Sequence, residues 1–211
     1  MTSSTSIVFV VDDDASVRRG VTRLLRSAGF TAATFASAPE FLERYDRDVA
    51  GCVILDLAMP GFDGLQMQKA LTDRGSALPV IFLTGHGDIP TSVQAMKGGA
   101  VDFLTKPVAD DELLAAVRKA IERCEALYRA REEIAIIRRR VATLTPRERE
   151  VLTHLLSGKL NKQIAADLGT VEHTIKVHRA RVMEKMQVRT LAALVRLAER
   201  AGIDAAPPTE G

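Results

Sequence analysis

In the first half of the chain, apolar runs end in polar groups able to do chemistry. "IVFVV" runs into Asp12, Asp13 and Asp14, "CVIL" into Asp56, "PVIFLT" closes on Thr84, and "VDFLT" is followed by Lys106. Carboxylates crowded into one pocket repel unless a cation joins them, and oxygen-only ligation with space for water suits Mg2+. With the metal neutralising the pocket, a central carboxylate can attack a phosphoryl group in line, while the metal, an ammonium and a hydroxyl hold the equatorial oxygens. Asp56 is the expected nucleophile. Singly, Asp14 reads as a helix cap, Asp56 as a turn former, Thr84 as a strand residue and Lys106 as a solvated charge. Their position on successive strand ends is what sets them apart.

The elements that must gather them are legible as alternating patterns. "IVFVV" reads as a strand and "ASVRRGVTRLLRSAGF" as a helix closing at Gly29. Four more strand-helix pairs follow, the last helix starting near Asp110. Short apolar runs bounded by turn residues are strands buried on both faces, so the expected fold is an α/β doubly wound five-stranded parallel sheet. In such sheets ligands sit at the carboxyl ends of the strands. Because Lys106 must turn back into the pocket as its strand ends, the Lys106–Pro107 peptide is expected to be cis. From Val108 to Thr145 there is no Gly or Pro. Leu113, Val117, Ala120, Cys124, Leu127, Arg131, Ile134, Arg138 and Val141 alternate steps of four and three, which predicts one unbroken helix from about Asp110 to Val141.

"VVDDDASVR", "ILDLAMPGFDG", "VIFLTGHGD" and "AVDFLTKPV" resemble the receiver domain of two-component response regulators, and "TGHGD" the FixJ-like branch, over residues 7 to about 120. The resemblance implies a flavodoxin-like receiver phosphorylated on Asp56 by a sensor histidine kinase. It further implies Mg2+ held by Asp13, Asp56 and the backbone carbonyl of Ala58, with Asp12 helping through water. Thr84 and Lys106 would bind the phosphoryl oxygens, and Phe103 would be the switch that swings inward as Thr84 moves. Phe103 has no hydroxyl where many receivers carry Tyr, so its switch works by packing alone. Ala58 stands where a larger polar side chain is frequent.

The second half is helical and basic. Residues 1–120 hold 12 Lys/Arg against 15 Asp/Glu, whereas residues 121–211 hold 17 against 12, an asymmetry that points the back half towards nucleic acid. Thr145, Pro146 and Glu148 fit a capping box with proline at the first helical position. A helix from Asn161 to Leu168, the turn at Gly169 and a helix from about Glu172 to Met186 fit a helix-turn-helix. "LTPREREVL", "NKQIAADLG", "TIKVHRARVMEKM" and "LVRLA" resemble the LuxR-type helix-turn-helix over residues 144 to about 202. By that resemblance Lys176 and Val177 face bases, and Asn161, Lys162, Thr174, Arg179 and Lys185 contact phosphates of a double-stranded operator. Ala180 lets the helix approach the groove, and His178 is a packed scaffold residue. Val171 replaces the usual Ser or Thr cap, so Thr170 is expected to cap one residue earlier. The amphipathic helix from Leu191 to Ala201 is the expected dimer contact.

The domains expected are a receiver (1–120), a helical linker continuous with its last helix (121–142), a helix-turn-helix domain (143–203) and a disordered tail (204–211). The longest apolar runs are far shorter than a membrane span and "MTSSTS" lacks the features of a secretory signal, so a cytoplasmic protein with no membrane partner is expected. Cys52 and Cys124 are too few for a disulfide framework and lack metal-site spacing. The function expected is a transcription regulator, not an enzyme, that forms a homodimer on phosphorylation; RNA polymerase is a further partner such a regulator admits. Its competitors are a receiver used only as a phosphorylation-independent interaction domain, and a phosphotransfer enzyme or phosphate sink. The complete acidic set argues against the first and the basic half against the second.

Overall fold

The structure, a computed structural model, describes residues 6–46, 49–85 and 89–204. His86, Gly87 and Asp88 of the "TGHGD" stretch, and the expected tail beyond Asp204, lie outside the described residues. The chain divides into two compact units between Arg129 and Ala130.

In the first unit β1 (Ile7–Val11), α1 (Ala15–Ser27), β2 (Thr31–Phe35), α2 (Ala38–Arg44), β3 (Gly51–Leu55), α3 (Gly64–Asp73), β4 (Val80–Thr84), α4 (Ile89–Lys97) and β5 (Asp102–Thr105) alternate as expected. The strands form one parallel sheet in the order β2-β1-β3-β4-β5. Successive strand residues point to opposite faces. Val8, Val10, Cys52, Ile54, Ile81 and Leu83 therefore pack with Val21 and Leu25 of α1 on one side. Phe9, Val11, Val53, Leu55, Val80 and Phe82 pack with Phe41 of α2, Met67 of α3 and Ala95 of α4 on the other. The rings of Phe9, Phe35, Phe41 and Tyr45 add edge-on and stacked contacts to that second core. Covered on both faces, the sheet leaves its strand ends as the place for polar side chains.

α5 (Asp110–Ala142) is unbroken, as the absence of Gly and Pro predicts. Its regular seam, however, serves two packing faces. Leu113, Val117, Ala120 and Cys124 are buried in the first unit's core. No residue from Glu125 to Ile136 is buried, and then Ile137, not its seam neighbour Arg138, enters the second unit's core. Both cysteines are buried free thiols, the Cys124 sulfur accepting the Gly51 N–H at 3.3 Å; burial, then the neighbouring Cys124, pushes the Cys52 pKa up to about 12.

The second unit contains α6 (Pro146–Leu156), α7 (Asn161–Asp167), α8 (Glu172–Lys185) and α9 (Leu191–Ala201). Thr145 caps α6 in a reciprocal pair with Glu148, and Pro146 opens the helix, as expected. Gly169, with φ +61°, makes the turn between α7 and α8 that a residue with a Cβ would enter under strain. Ile175, Val182 and Met186 anchor α8 on Leu152, Leu155 and Ile164. Thr170 does not cap this helix: the cap position is Val171, with no side-chain acceptor, and it is exposed. On α9, Leu194, Ala198 and Ala201 are buried in the unit's own core, so much of the apolar face read as a dimer contact is already used.

Candidate functional sites

The parallel register builds the acidic pocket. Val11 pairs with Leu55, so the residues that follow, Asp12 and Asp56, leave neighbouring strands side by side, and the Asp56 N–H donates to the Val11 carbonyl at 2.9 Å. Asp12, Asp13 and Asp56 each offer a carboxylate oxygen within 4.8 Å of the others. Asp12 and Asp56 are buried, at 2% and 8% exposure, whereas Asp13 faces solvent. Lys106 follows the C-terminal end of β5, its N–H donating to the Thr84 carbonyl at 2.8 Å, and its ammonium lies 2.7 Å from Asp12 Oδ2 and 3.1 Å from Asp56 Oδ2. The Lys106–Pro107 peptide is cis.

Each buried carboxylate has its second oxygen on the main chain. Asp12 Oδ1 accepts the Asp14 N–H at 2.8 Å and Asp56 Oδ1 the Ala58 N–H at 3.3 Å. Burial, opposed mainly by the Lys106 hydrogen bond, holds the Asp12 pKa above its ordinary value. Burial also works against the Lys106 ammonium, but its hydrogen bonds to Asp12 and Asp56, with their charges, leave it raised. Two like charges about 4 Å apart repel by roughly 4 kcal/mol at an effective dielectric of 20. One ammonium against three carboxylates leaves a formal deficit of two charges, which a divalent hard cation with oxygen ligands meets.

Thr84 ends β4 and is fully buried, and Phe103 is half-buried with its ring centroid 6.0 Å from that of Phe82. Asp14 is the cap of α1, accepting from Ser16 N–H and Oγ–H at 2.7 Å. Two contributors escaped the sequence. Arg18 donates to the carbonyls of Asp12 at 2.6 Å and Asp13 at 3.0 Å, tying down the loop after β1. At Gly64 an added Cβ would stand 2.6 Å from the Asp56 carbonyl oxygen and 2.9 Å from the Phe82 ring, so α3 starts hard against the Asp56 loop. A glycine opening a helix after "PGFD" was the available signal.

On α8, Lys176 and Val177 are exposed, Thr174 is half-buried, and Lys176 makes only an i,i+4 surface pair with Glu172 at 3.1 Å. Arg179 reaches across the turn to Asn161 Oδ1 at 3.2 Å, which brings the first residue of α7 to the same face, and Lys162 beside it is exposed. Lys185 departs from its expected place as a phosphate contact. Its ammonium lies 2.6 Å from Glu148 Oε2 and 3.0 Å from the Thr143 carbonyl, and Glu148 is 2% exposed. The hydrogen bonds from Lys185 and the Thr145 N–H lower the Glu148 pKa. This ammonium holds the start of α6 to the end of α8. His178 is half-buried, and its Nδ1 has no hydrogen-bond partner among the described residues.

A five-stranded parallel sheet with an acidic pocket at its strand ends, followed by a helix-turn-helix, is the architecture of a two-component response regulator. Residues 8–118 match the response regulator receiver domain and residues 142–198 the bacterial regulatory proteins of the luxR family. The chain belongs to the response regulators that join these two domains, which are DNA-binding transcription regulators rather than enzymes. It is 48% identical to Nodulation protein W of Bradyrhizobium diazoefficiens over 96% of this chain and 89% of that protein. It is 45% identical to the transcriptional regulatory protein FixJ of the same organism, over 93% and 96%. Among solved structures, the response regulator StyR matches with a TM-score of 0.84 and 45% identity over 93% of this chain and 99% of that one; full-length FixJ from B. japonicum matches with 0.57 and 43% over 95% and 99%.

Proposed function

We propose that Asp56 accepts a phosphoryl group from a sensor histidine kinase and that the phosphorylated protein dimerises and binds an operator. The observation that carries this reading is the Lys106 ammonium shared between two buried carboxylates on adjacent strand ends. Asp12, Asp13, Asp56 and the carbonyl of Ala58 would hold Mg2+, which when bound supplies charge neutralisation of the phosphoryl oxygens. An Asp56 carboxylate oxygen attacks phosphorus, the bond from phosphorus to the donor nitrogen breaks, and that electron pair leaves with the kinase histidine. Lys106 turns from Asp56 to a phosphoryl oxygen and keeps its hold on Asp12, while the Thr84 hydroxyl takes another oxygen and Phe103 packs inward behind it.

The domain limits that fit are the receiver over 1–120, a linker helix over 121–142 and the DNA-binding domain over 143–203. The division between Arg129 and Ala130 falls inside that linker. Dimerisation is supported by Ile89, Val93 and Met96, which expose large apolar side chains along α4. A pair of DNA-binding domains reads two half-sites about one helical turn apart, and the linkage raises avidity without a new base contact. Lys176 and Val177 read bases, and Asn161, Lys162, Thr174 and Arg179 meet phosphates. No helix among the described residues is long and apolar enough to cross a membrane; action in the cytoplasm is part of this proposal.

Incubation with Mg2+ and acetyl phosphate, read by intact mass, tests the reading: one added phosphoryl group per chain is expected. No mass gain would favour the phosphorylation-independent interaction domain. Sedimentation with beryllium fluoride, a phosphoryl mimic, should convert monomer to dimer.

A further inference from the structure

α1 carries a third of the cations of residues 1–120 and no acid. Arg18, Arg19, Arg23 and Arg26 all line one groove of about 550 Å³ between α1 and β2, together with Thr22 and Thr34. No carboxylate among the described residues lines it. Arg19, Arg23 and Arg26 are exposed and enter no ion pair among the described residues. Arg18 is anchored on the Asp12 and Asp13 carbonyls, so the groove borders the loop that carries the acidic pocket.

Guanidinium groups lining one groove with no acid among them favour an anionic counter-ion. The planar fork of arginine grips phosphate with two parallel N–H donors, and the exposed Thr34 hydroxyl adds a donor for a further oxygen. Small-molecule sites span about 300–1,000 Å³, a range that includes this groove. We infer that the α1–β2 groove binds a small soluble polyphosphate of nucleoside triphosphate size, at a site separate from the acidic pocket and from α8. A concavity of this size takes a compact ligand rather than the broad surface of a duplex.

The test is calorimetric titration of the full-length protein with inorganic tripolyphosphate and with ATP in magnesium-free buffer. Saturable binding is expected, weakened at least tenfold in the triple variant Arg19→Gln, Arg23→Gln, Arg26→Gln. It should persist in Arg118→Gln, Lys119→Gln, Arg123→Gln, which removes equal charge from exposed positions of α5. Tighter binding of ATP assigns the nucleoside to the ligand, and equal binding assigns phosphate alone; both support the site. Equal loss in the two triple variants would reduce the effect to net charge and overturn it. Absence of binding at millimolar ligand, or loss on Lys176→Ala with none in the α1 variant, would also overturn it. So would α1-dependent binding of a non-operator duplex where both small ligands fail. If the α1 triple variant does not fold, Arg23→Gln alone decides: at least a threefold loss supports the site and no loss removes it.

Discussion

The acidic pocket and the basic helix treat charge in opposite ways. In the pocket, topology forces like charges together: three carboxylates converge from two adjacent strand ends, and the two that are buried share one ammonium. No packing requirement explains such a cluster, because an apolar group at either buried position would cost less. On α8 the cations are spread along a helix, and its two lysines each have a bland alternative. Lys176 meets Glu172 on the surface, whereas Lys185 is consumed by Glu148. Convergence of like charges therefore speaks for chemistry, while a row of charges on a helix speaks for it only after each side chain's partner is known.

The largest effect should come from the pocket. Asp56→Asn keeps the shape of the side chain and removes the proposed nucleophile, so the mass gain with acetyl phosphate and Mg2+ should vanish. Labelling that persists would mean another carboxylate accepts the group, and the contrast between converged and dispersed charge would lose its first half.

Glu148 tests the other half. Its carboxylate serves the Thr145 N–H and the Lys185 ammonium at once, so Glu148→Ala should cost the second unit about 2–3 kcal/mol from lost cap and charge-assisted bonds. Thermal unfolding reads this directly. The same group sets a pH signature. Its folded pKa is lowered from 4.5, so its contribution is present above that value and lost as pH falls through the folded pKa. Asp12 behaves oppositely: its folded pKa is raised from 3.8, so its contribution is present below 3.8 and lost as pH rises through the folded pKa. Lys106, raised from 10.5, loses its contribution only above that value. Calorimetry at pH 7 and pH 3.5 should therefore show the second unit's transition falling relative to the first. Glu148→Gln should remove most of that difference, and an equal fall of both units would refute it.

Much of this could be read from sequence because it depends on local pattern. Strand and helix alternation, the Thr145 capping box and the turn at Gly169 each follow from residue type at fixed spacing. The pocket was readable too, since a parallel sheet brings strand ends together whatever the details. What escaped depended on long side chains choosing between partners. Arg18 looked like one more cation of α1, and nothing in its neighbours shows that it would turn to the Asp12 and Asp13 carbonyls. Lys185 and Glu148 are 37 residues apart, and only the fold brings them within 2.6 Å. The seam of α5 misled for a related reason. Its spacing is regular across Asp110–Ala142, but the helix changes the unit it packs on, and Ile137 replaces Arg138 on the buried side. Val171 at the cap of α8 shows that a helix anchored by Ile175 and Val182 forms without a side-chain cap.

The finest discrimination lies among lysines of the DNA-binding unit. Lys176→Ala should relax base preference at one operator position, by about 1–3 kcal/mol of lost discrimination. Lys162 and Lys185 differ more subtly, since both would be read from sequence as phosphate contacts. Lys162 is exposed and free of any ion pair among the described residues, so its removal should lower the dependence of log K on log salt by about one counterion for every sequence tested. The Lys185 ammonium is held by Glu148 and the Thr143 carbonyl, and moving it to a phosphate would leave a buried carboxylate unpaired. Lys185→Ala should accordingly leave the salt slope unchanged and lower the unfolding temperature instead. Titration of one operator at several salt concentrations, with unfolding measured on the same preparations, separates the two. A lowered slope for Lys185→Ala at unchanged stability would return that lysine to the DNA, and would mean that the Glu148 pair opens when the duplex arrives.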